Sequence, residues 1–146
     1  MKLSNALISG TTGALVLNFL HEGVRQFRSD APRVDLLGQR LLSRTFRFNG
    51  KKPPKGKNLY WSAMLSDLVS NTLFYSLVGW GNGRNALVRG LLLGFSAGLA
   101  TLKSPEKLKL PRKRVAKYKT TRWMTMGWYT LGGIAAGLLG KLLSRR

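Results

Sequence analysis

Asp67 is the residue with the clearest chemical consequence in this 146-residue chain, because it stands inside an otherwise uncharged stretch running from Leu59 to Trp80. A carboxyl group within a lipid-spanning helix is costly unless it is partnered, which makes such a residue a functional candidate. Ser66, Ser70 and Asn71 fall on the same helical stripe as Asp67 and Ala63, and Thr125 and Tyr129 of a later segment lie at a matching depth. Two readings follow. One is a proton or cation relay through Asp67, Asn71 and Tyr129; the other is a hydrogen-bonded contact that fastens two helices. Arg89 lies about a turn from the opposite end of its own segment, so its side chain can extend outward rather than pair with Asp67.

His21 and Glu22, followed by Arg25, form a second polar group where the first apolar segment ends. One imidazole beside one carboxylate could do acid–base work on a lipid headgroup or contact a phosphate, although an ordinary polar helix end has the same composition. The chain has a single histidine and no cysteine, which excludes thiol chemistry, disulfides and a multi-histidine metal site within one copy. Gly79, Gly81 and Gly83 lack the Lys-Ser/Thr and the helix that a phosphate-cradling loop requires. With no catalytic constellation and no cofactor motif, the sequence reads as that of a non-enzymatic protein without a cofactor.

Positioning these groups falls to four apolar segments, at about residues 3–20, 59–80, 85–102 and 120–143. The first is uncharged over 18 residues, about 27 Å as a helix, close to the thickness of a bilayer core. No small-residue cleavage pattern follows Leu20, and the next loop is strongly basic, so a retained span is expected rather than a cleaved leader. Tyr60 and Trp61 at one end of the second segment, and Trp80 at the other, match aromatic belts at the two interfaces. The short turn from Gly79 to Arg84 is expected to lay 85–102 antiparallel beside 59–80 as a hairpin, and Lys103-Ser104-Pro105-Glu106 has the pattern of a new helix start.

Charge is segregated from these segments. Of 25 lysines and arginines, ten fall between residues 21 and 58 and nine between 103 and 122, and the net charge is +20. The retention of positive loops on the cytoplasmic side places 21–58 and 103–119 in the cytoplasm, and both termini on the non-cytoplasmic side of the cell inner membrane. In the first loop Asp30 can cap a helix that Pro32 starts. Val34, Leu37, Leu41, Leu42, Thr45 and Phe48 share one side of that helix, and Arg40, Arg44 and Arg47 form a stripe on another. It can lie in the interface, or cap the bundle with its arginines solvated. Together with Lys51, Lys52, Arg112, Lys113 and Arg114 it makes a basic face for the anionic lipids of the inner leaflet or for an acidic protein partner. Nucleic acid is the less favoured partner, because binding it would not need four uncharged segments.

Gly90, Gly94 and Gly98 recur every fourth residue, as do Gly133 and Gly137, and Ala6, Gly10 and Ala14 continue the pattern in the first segment. Small residues at this spacing let backbones approach within lipid, where packing drives helix association. Closure of the bundle within one chain is expected first and a homo-oligomer second. Asn5 to Gly10 matches Asn85 to Gly90, and Lys57, Trp61 and Met64 are spaced like Lys119, Trp123 and Met126. Each half then reads helix, basic loop, helix, related by a pseudo-two-fold axis along the membrane normal. The expected fold is all-α: a four-transmembrane-helix bundle, a tandem duplication with an amphipathic interfacial helix in loop 1. An accessory or scaffold subunit is the first functional expectation, a small oligomeric transporter or channel using Asp67 the second, and a soluble basic nucleic-acid-binding protein the third.

Leu20-His21-Glu22 closing a glycine-rich first span, Asp30-Ala31-Pro32-Arg33-Val34-Asp35-Leu36-Leu37-Gly38, and Thr120-Thr121-Arg122-Trp123-Met124-Thr125 entering the last span resemble small uncharacterised multi-pass bacterial membrane proteins. The resemblance covers most of the chain loosely. It implies a membrane location and carries no activity with it.

Overall fold

The computed structural model describes residues 1–107 and 118–144. Among the described residues the protein is all-α, with helices α1 (Leu3–Phe27), α2 (Val34–Phe48), α3 (Gly56–Ser76), α4 (Ala86–Lys107) and α5 (Lys119–Leu143) and no strand. Two short 3-10 turns, Leu77–Gly79 and Gly83–Asn85, join α3 to α4. The long helices pack in the order α3, α1, α5, α4, each antiparallel to the next, and α2 lies against α3.

Small residues decide which helices meet. On α4, Gly90 faces the Gly133 carbonyl and Gly137 of α5, Gly94 faces the Tyr129 carbonyl and Thr130, and Gly98 faces Met126. A Cβ at Gly137 would come within 2.7 Å of the Ala86 carbonyl, so backbone touches backbone along this seam. On α1, Gly10 faces Thr72 and Ser76 of α3, while Gly13 faces Gly132 and Ala136 of α5. Gly13 and Gly132 stand outside the four-residue rows, yet they make α1 the middle helix.

The hairpin of 59–80 with 85–102 is not formed as expected, because α3 and α4 touch only sparsely. The reason lies in composition. The glycine row of α4 needs a second glycine row to interlock with, and α5 has one where α3 has only Gly56 at its first residue. The pseudo-two-fold falls with the hairpin: such an axis would exchange the close α1–α5 contact with α3–α4. The halves repeat as two adjacent hairpins, α3 with α1 and α5 with α4.

Two helix boundaries also differ from expectation. α2 begins at Val34 without a side-chain cap, and the Asp30 carboxylate is taken by a two-pronged bond from Arg28, at 2.9 Å on both arms. α4 runs on through Pro105 to Lys107, and Ser104 Oγ donates to the Ala100 carbonyl at 2.7 Å rather than starting a helix.

The exterior is apolar along every long helix. Trp61, Leu65, Val69 and Leu73 of α3 are exposed one above another, as are Val88, Leu92, Phe95 and Leu99 on α4, Ile8, Leu15 and Phe19 on α1, and Leu131, Leu138 and Leu142 on α5. The interior holds Leu17, Tyr75 and Val78 together with the buried polar residues Ser9, Asn71, Thr101, Thr121 and Thr125. Among the described residues two helices, Leu3–Phe27 and Gly83–Glu106, are long and apolar enough to cross a membrane, and only 33% and 22% of their apolar windows are buried. Ser66, Asp67, Ser70, Asn71 and Thr72 dilute the apolar character of α3, and threonines and glycines do so in α5.

Candidate functional site

Three helices line a cavity of about 40 Å³ at the end of the bundle where α1 finishes and α3 begins. α1 contributes Asn18, His21 and Glu22, and α3 contributes Tyr60, Met64 and Asp67, each set spaced by three and four residues so that it shares one helical face. α2 closes the cavity with Val34, Asp35 and Gly38. A Cβ at Gly38 would meet that of Ala63 at 3.9 Å, an ordinary contact, so the approach of α2 to α3 here does not depend on glycine.

Arg25, one turn beyond Glu22 on α1, organises the rim. Its guanidinium pairs with Glu22, donates to Asp35 Oδ2 at 2.9 Å, and lies over the Tyr60 ring at 5.7 Å from the centroid. Arg33 grips Asp35 with two parallel bonds of 2.9 Å. Burial opposes ionisation of Asp35, but the Arg33 bonds and the charges of Arg33 and Arg25 outweigh it and hold the carboxyl below its ordinary value of 3.8. Glu22, Asp35, Arg25 and Arg33 therefore compensate one another.

Asp67, at the deep end, is not compensated, and among the described residues no ion pair includes it. His21 faces the same cavity, and its ring packs edge-on against Trp128 and Tyr129 of α5, with centroids 4.9 and 5.6 Å away. His21 Nε2 is sealed from solvent without a hydrogen-bond partner among the described residues, and the buried Asn71 amide stands beside Asp67. Buried polar atoms are nearly always paired, so such an orphan requires an explanation. Beside the cavity, Leu15, Phe19 and Trp61 line an open apolar groove of about 540 Å³ between α1 and α3, with Asn18, Glu22, Tyr60 and Met64 lining both spaces.

The structure thus joins two groups that the sequence presents separately, His21-Glu22-x-x-Arg25 and Asp67. Ser66 and Ser70, expected on the Asp67 stripe, are exposed instead. Tyr129 is buried on α5, where its backbone carbonyl accepts from the Tyr75 hydroxyl at 2.8 Å, and His21 stands between it and the cavity. Asp35 and Tyr60 were not foreseen as site residues. For Tyr60 the signal is the Tyr60, Ala63, Met64, Asp67 spacing, which continues the Asp67 face to the helix start; Asp35 has no such local signal.

The remaining candidates lie elsewhere. Arg89 is at the opposite end, donating to the Val78 carbonyl at 3.0 and 2.7 Å and to the Asn82 carbonyl at 2.8 Å, where it closes the C-terminal end of the α3 segment. Arg40, Arg44, Arg47, Lys51 and Lys52 are exposed on and after α2. Gly50, at φ +69°, turns the chain there, with Lys51 N donating to the Phe46 carbonyl at 2.9 Å. Arg112, Lys113 and Arg114 lie outside the described residues.

Among the described residues, fold and site together define an all-helical protein with two helices of membrane-crossing length and a cavity at one end of its bundle. The chain matches no family model, no curated protein and no solved structure.

Proposed function

We propose that the chain is an integral membrane protein whose four long helices all cross the inner membrane, and whose basic end adheres to anionic headgroups. It then serves as an accessory or scaffold subunit, without catalysis of its own. The observation that carries this reading is that apolar side chains face outward along all four helices while the lysines and arginines gather at their ends. A water-soluble bundle of this size would leave far smaller contiguous apolar patches exposed. The low buried share of the α1 and α4 windows argues the same way, since the core helix of a soluble protein would be mostly buried. In α3 and α5, Asn71, Thr121 and Thr125 are turned inward, so lipid meets the apolar faces of these helices as well.

The loop charges place the cavity end on the cytoplasmic side. There Arg40, Arg44, Arg47, Lys51 and Lys52 stand exposed beside the exposed Leu41 and Phe48. This is the composition of a segment that rests at headgroup level, with about 1 kcal/mol of attraction per cation near an anionic surface. The first turns of α2 pack on α3 through Val34 and Leu37, so only the second half of the helix is available to lipid. The resemblance to small multi-pass bacterial membrane proteins and the tandem origin of the halves belong to this reading.

Its test is to purify the chain in mild detergent and measure the lipids and proteins retained. Enrichment of anionic over zwitterionic lipid, lost in an Arg40→Ala, Arg44→Ala, Arg47→Ala triple variant, is the expected result. Release from membranes by carbonate, or equal retention of both lipid classes, would end the proposal. A second reading, an oligomeric transporter using Asp67, is favoured by the orphaned His21 Nε2 in the cavity that Asp67 lines. Ion flux in liposomes that Asp67→Asn abolishes would select it.

A further inference from the structure

We infer that the cavity between α1, α2 and α3 binds a small ammonium group, either ammonium itself or a primary amine. The inference is independent of the lipid adhesion proposed for the basic face, because it concerns the one place in a chain of net charge +20 where carboxylates gather. Three of the five acidic residues, Glu22, Asp35 and Asp67, line this cavity. Arg25 and Arg33 balance Glu22 and Asp35, through bonds of 2.9 Å from each to Asp35 and the pairing of Arg25 with Glu22. Asp67, on the cavity wall, is left without an ion-pair partner among the described residues.

The remaining chemistry selects the kind of cation. His21 lines the cavity, its Nε2 is without a hydrogen-bond partner among the described residues, and in the Nδ1–H tautomer that atom is an acceptor. The Asn18 amide oxygen and the Tyr60 hydroxyl supply further acceptors on the wall. A cation that donates N–H bonds satisfies these groups and Asp67 together. Among the described residues no group of three His, Cys, Asp or Glu side chains could hold a metal ion, which disfavours a divalent metal in the same space. The volume of about 40 Å³ admits an ammonium or an aminomethyl group, and a tetraalkylammonium, which has no N–H to donate, cannot satisfy these acceptors. The amine can arrive as a free ion or as the ethanolamine head of a lipid whose tail occupies the groove of Leu15, Phe19 and Trp61.

Titration calorimetry and thermal unfolding of the purified chain, in micelles of a non-ionic detergent, test this with ammonium, methylammonium, tetramethylammonium and sodium chlorides at matched ionic strength. Saturable heat and a raised unfolding temperature are expected with the first two and not with the last two. Asp67→Asn should weaken methylammonium binding on the order of 30-fold or more, since it removes the charged partner of a buried pair, whereas Arg44→Ala should bind as the parent does. In nanodiscs, loss of the methylammonium response in phosphatidylethanolamine but not in phosphatidylcholine identifies the lipid head as occupant, and retention in both identifies the free ion. Equal responses to all four salts by the unaltered chain overturn the inference, as does undiminished binding by Asp67→Asn, and the first of these requires no variant to fold.

Discussion

The two hairpins of this protein start from the same pattern and end in different seams. Between α4 and α5 glycine meets glycine, and the backbones are in contact through Gly90, Gly94, Gly133 and Gly137. Between α1 and α3 the corresponding Gly10 packs against Thr72 and Ser76, but toward the basic end the seam opens into the cavity. Aligning Asn5 with Asn85 and Lys57 with Lys119 puts Thr101 where His21 stands and Tyr129 where Asp67 stands. In the second half these two side chains are buried. In the first half an imidazole and a short carboxylate take their places, and the space that a tyrosine ring fills in one hairpin is a chamber in the other. One hairpin is specialised for rigidity and the other for a ligand.

Substitutions should separate the two seams. Gly94→Leu has the largest expected effect: even a Cβ there would overlap the Tyr129 carbonyl, so unfolding in detergent should show a loss of about 3 kcal/mol or more. Tyr75→Phe removes a buried hydroxyl from the Tyr129 carbonyl, with a smaller expected loss of about 1 kcal/mol by the same measurement. Asp67→Asn should change stability by less than about 1 kcal/mol, because it replaces an uncompensated carboxylate with a neutral group of equal size. A large loss there would mean that the cavity is as structural as the glycine seam.

Acid sensitivity sharpens the comparison further, since Asp35 belongs to the cavity hairpin alone. Its carboxyl is held below the ordinary 3.8, so it is ionised more readily folded than unfolded. The resulting stability is fully present above that value and lost as pH falls through the lower folded value. Unfolding followed between pH 6 and pH 2 should show an acid limb that Asp35→Asn flattens. The smallest effect on folding, within about 0.5 kcal/mol, is expected for exposed Arg44→Ala.

Helix existence was legible because long uncharged runs and the three-and-four spacing of α2 are local signals. The glycine rows named the right surfaces, but pairing depends on which rows interlock, and nothing local to Gly90 says that its counterpart is Gly133 rather than the neighbouring α3. The turn from Gly79 to Arg84 therefore pointed to the wrong neighbour. Asp67 was identifiable from its apolar surroundings, whereas its company was not. His21 and Asp35 reach it only once α1 and α3 are antiparallel and α2 folds back across them, a consequence of tertiary packing that no window of sequence contains.

The absence of cysteine from the chain makes the threading directly measurable. Asn82→Cys, in the turn between α3 and α4, and Lys52→Cys, after α2, can each be offered a membrane-impermeant maleimide on intact cells whose outer envelope has been opened. Four spans with the basic end inside require that Asn82→Cys be labelled at once and Lys52→Cys only after the inner membrane is permeabilised. Labelling of both positions from the same side, or the reverse order, would contradict that arrangement.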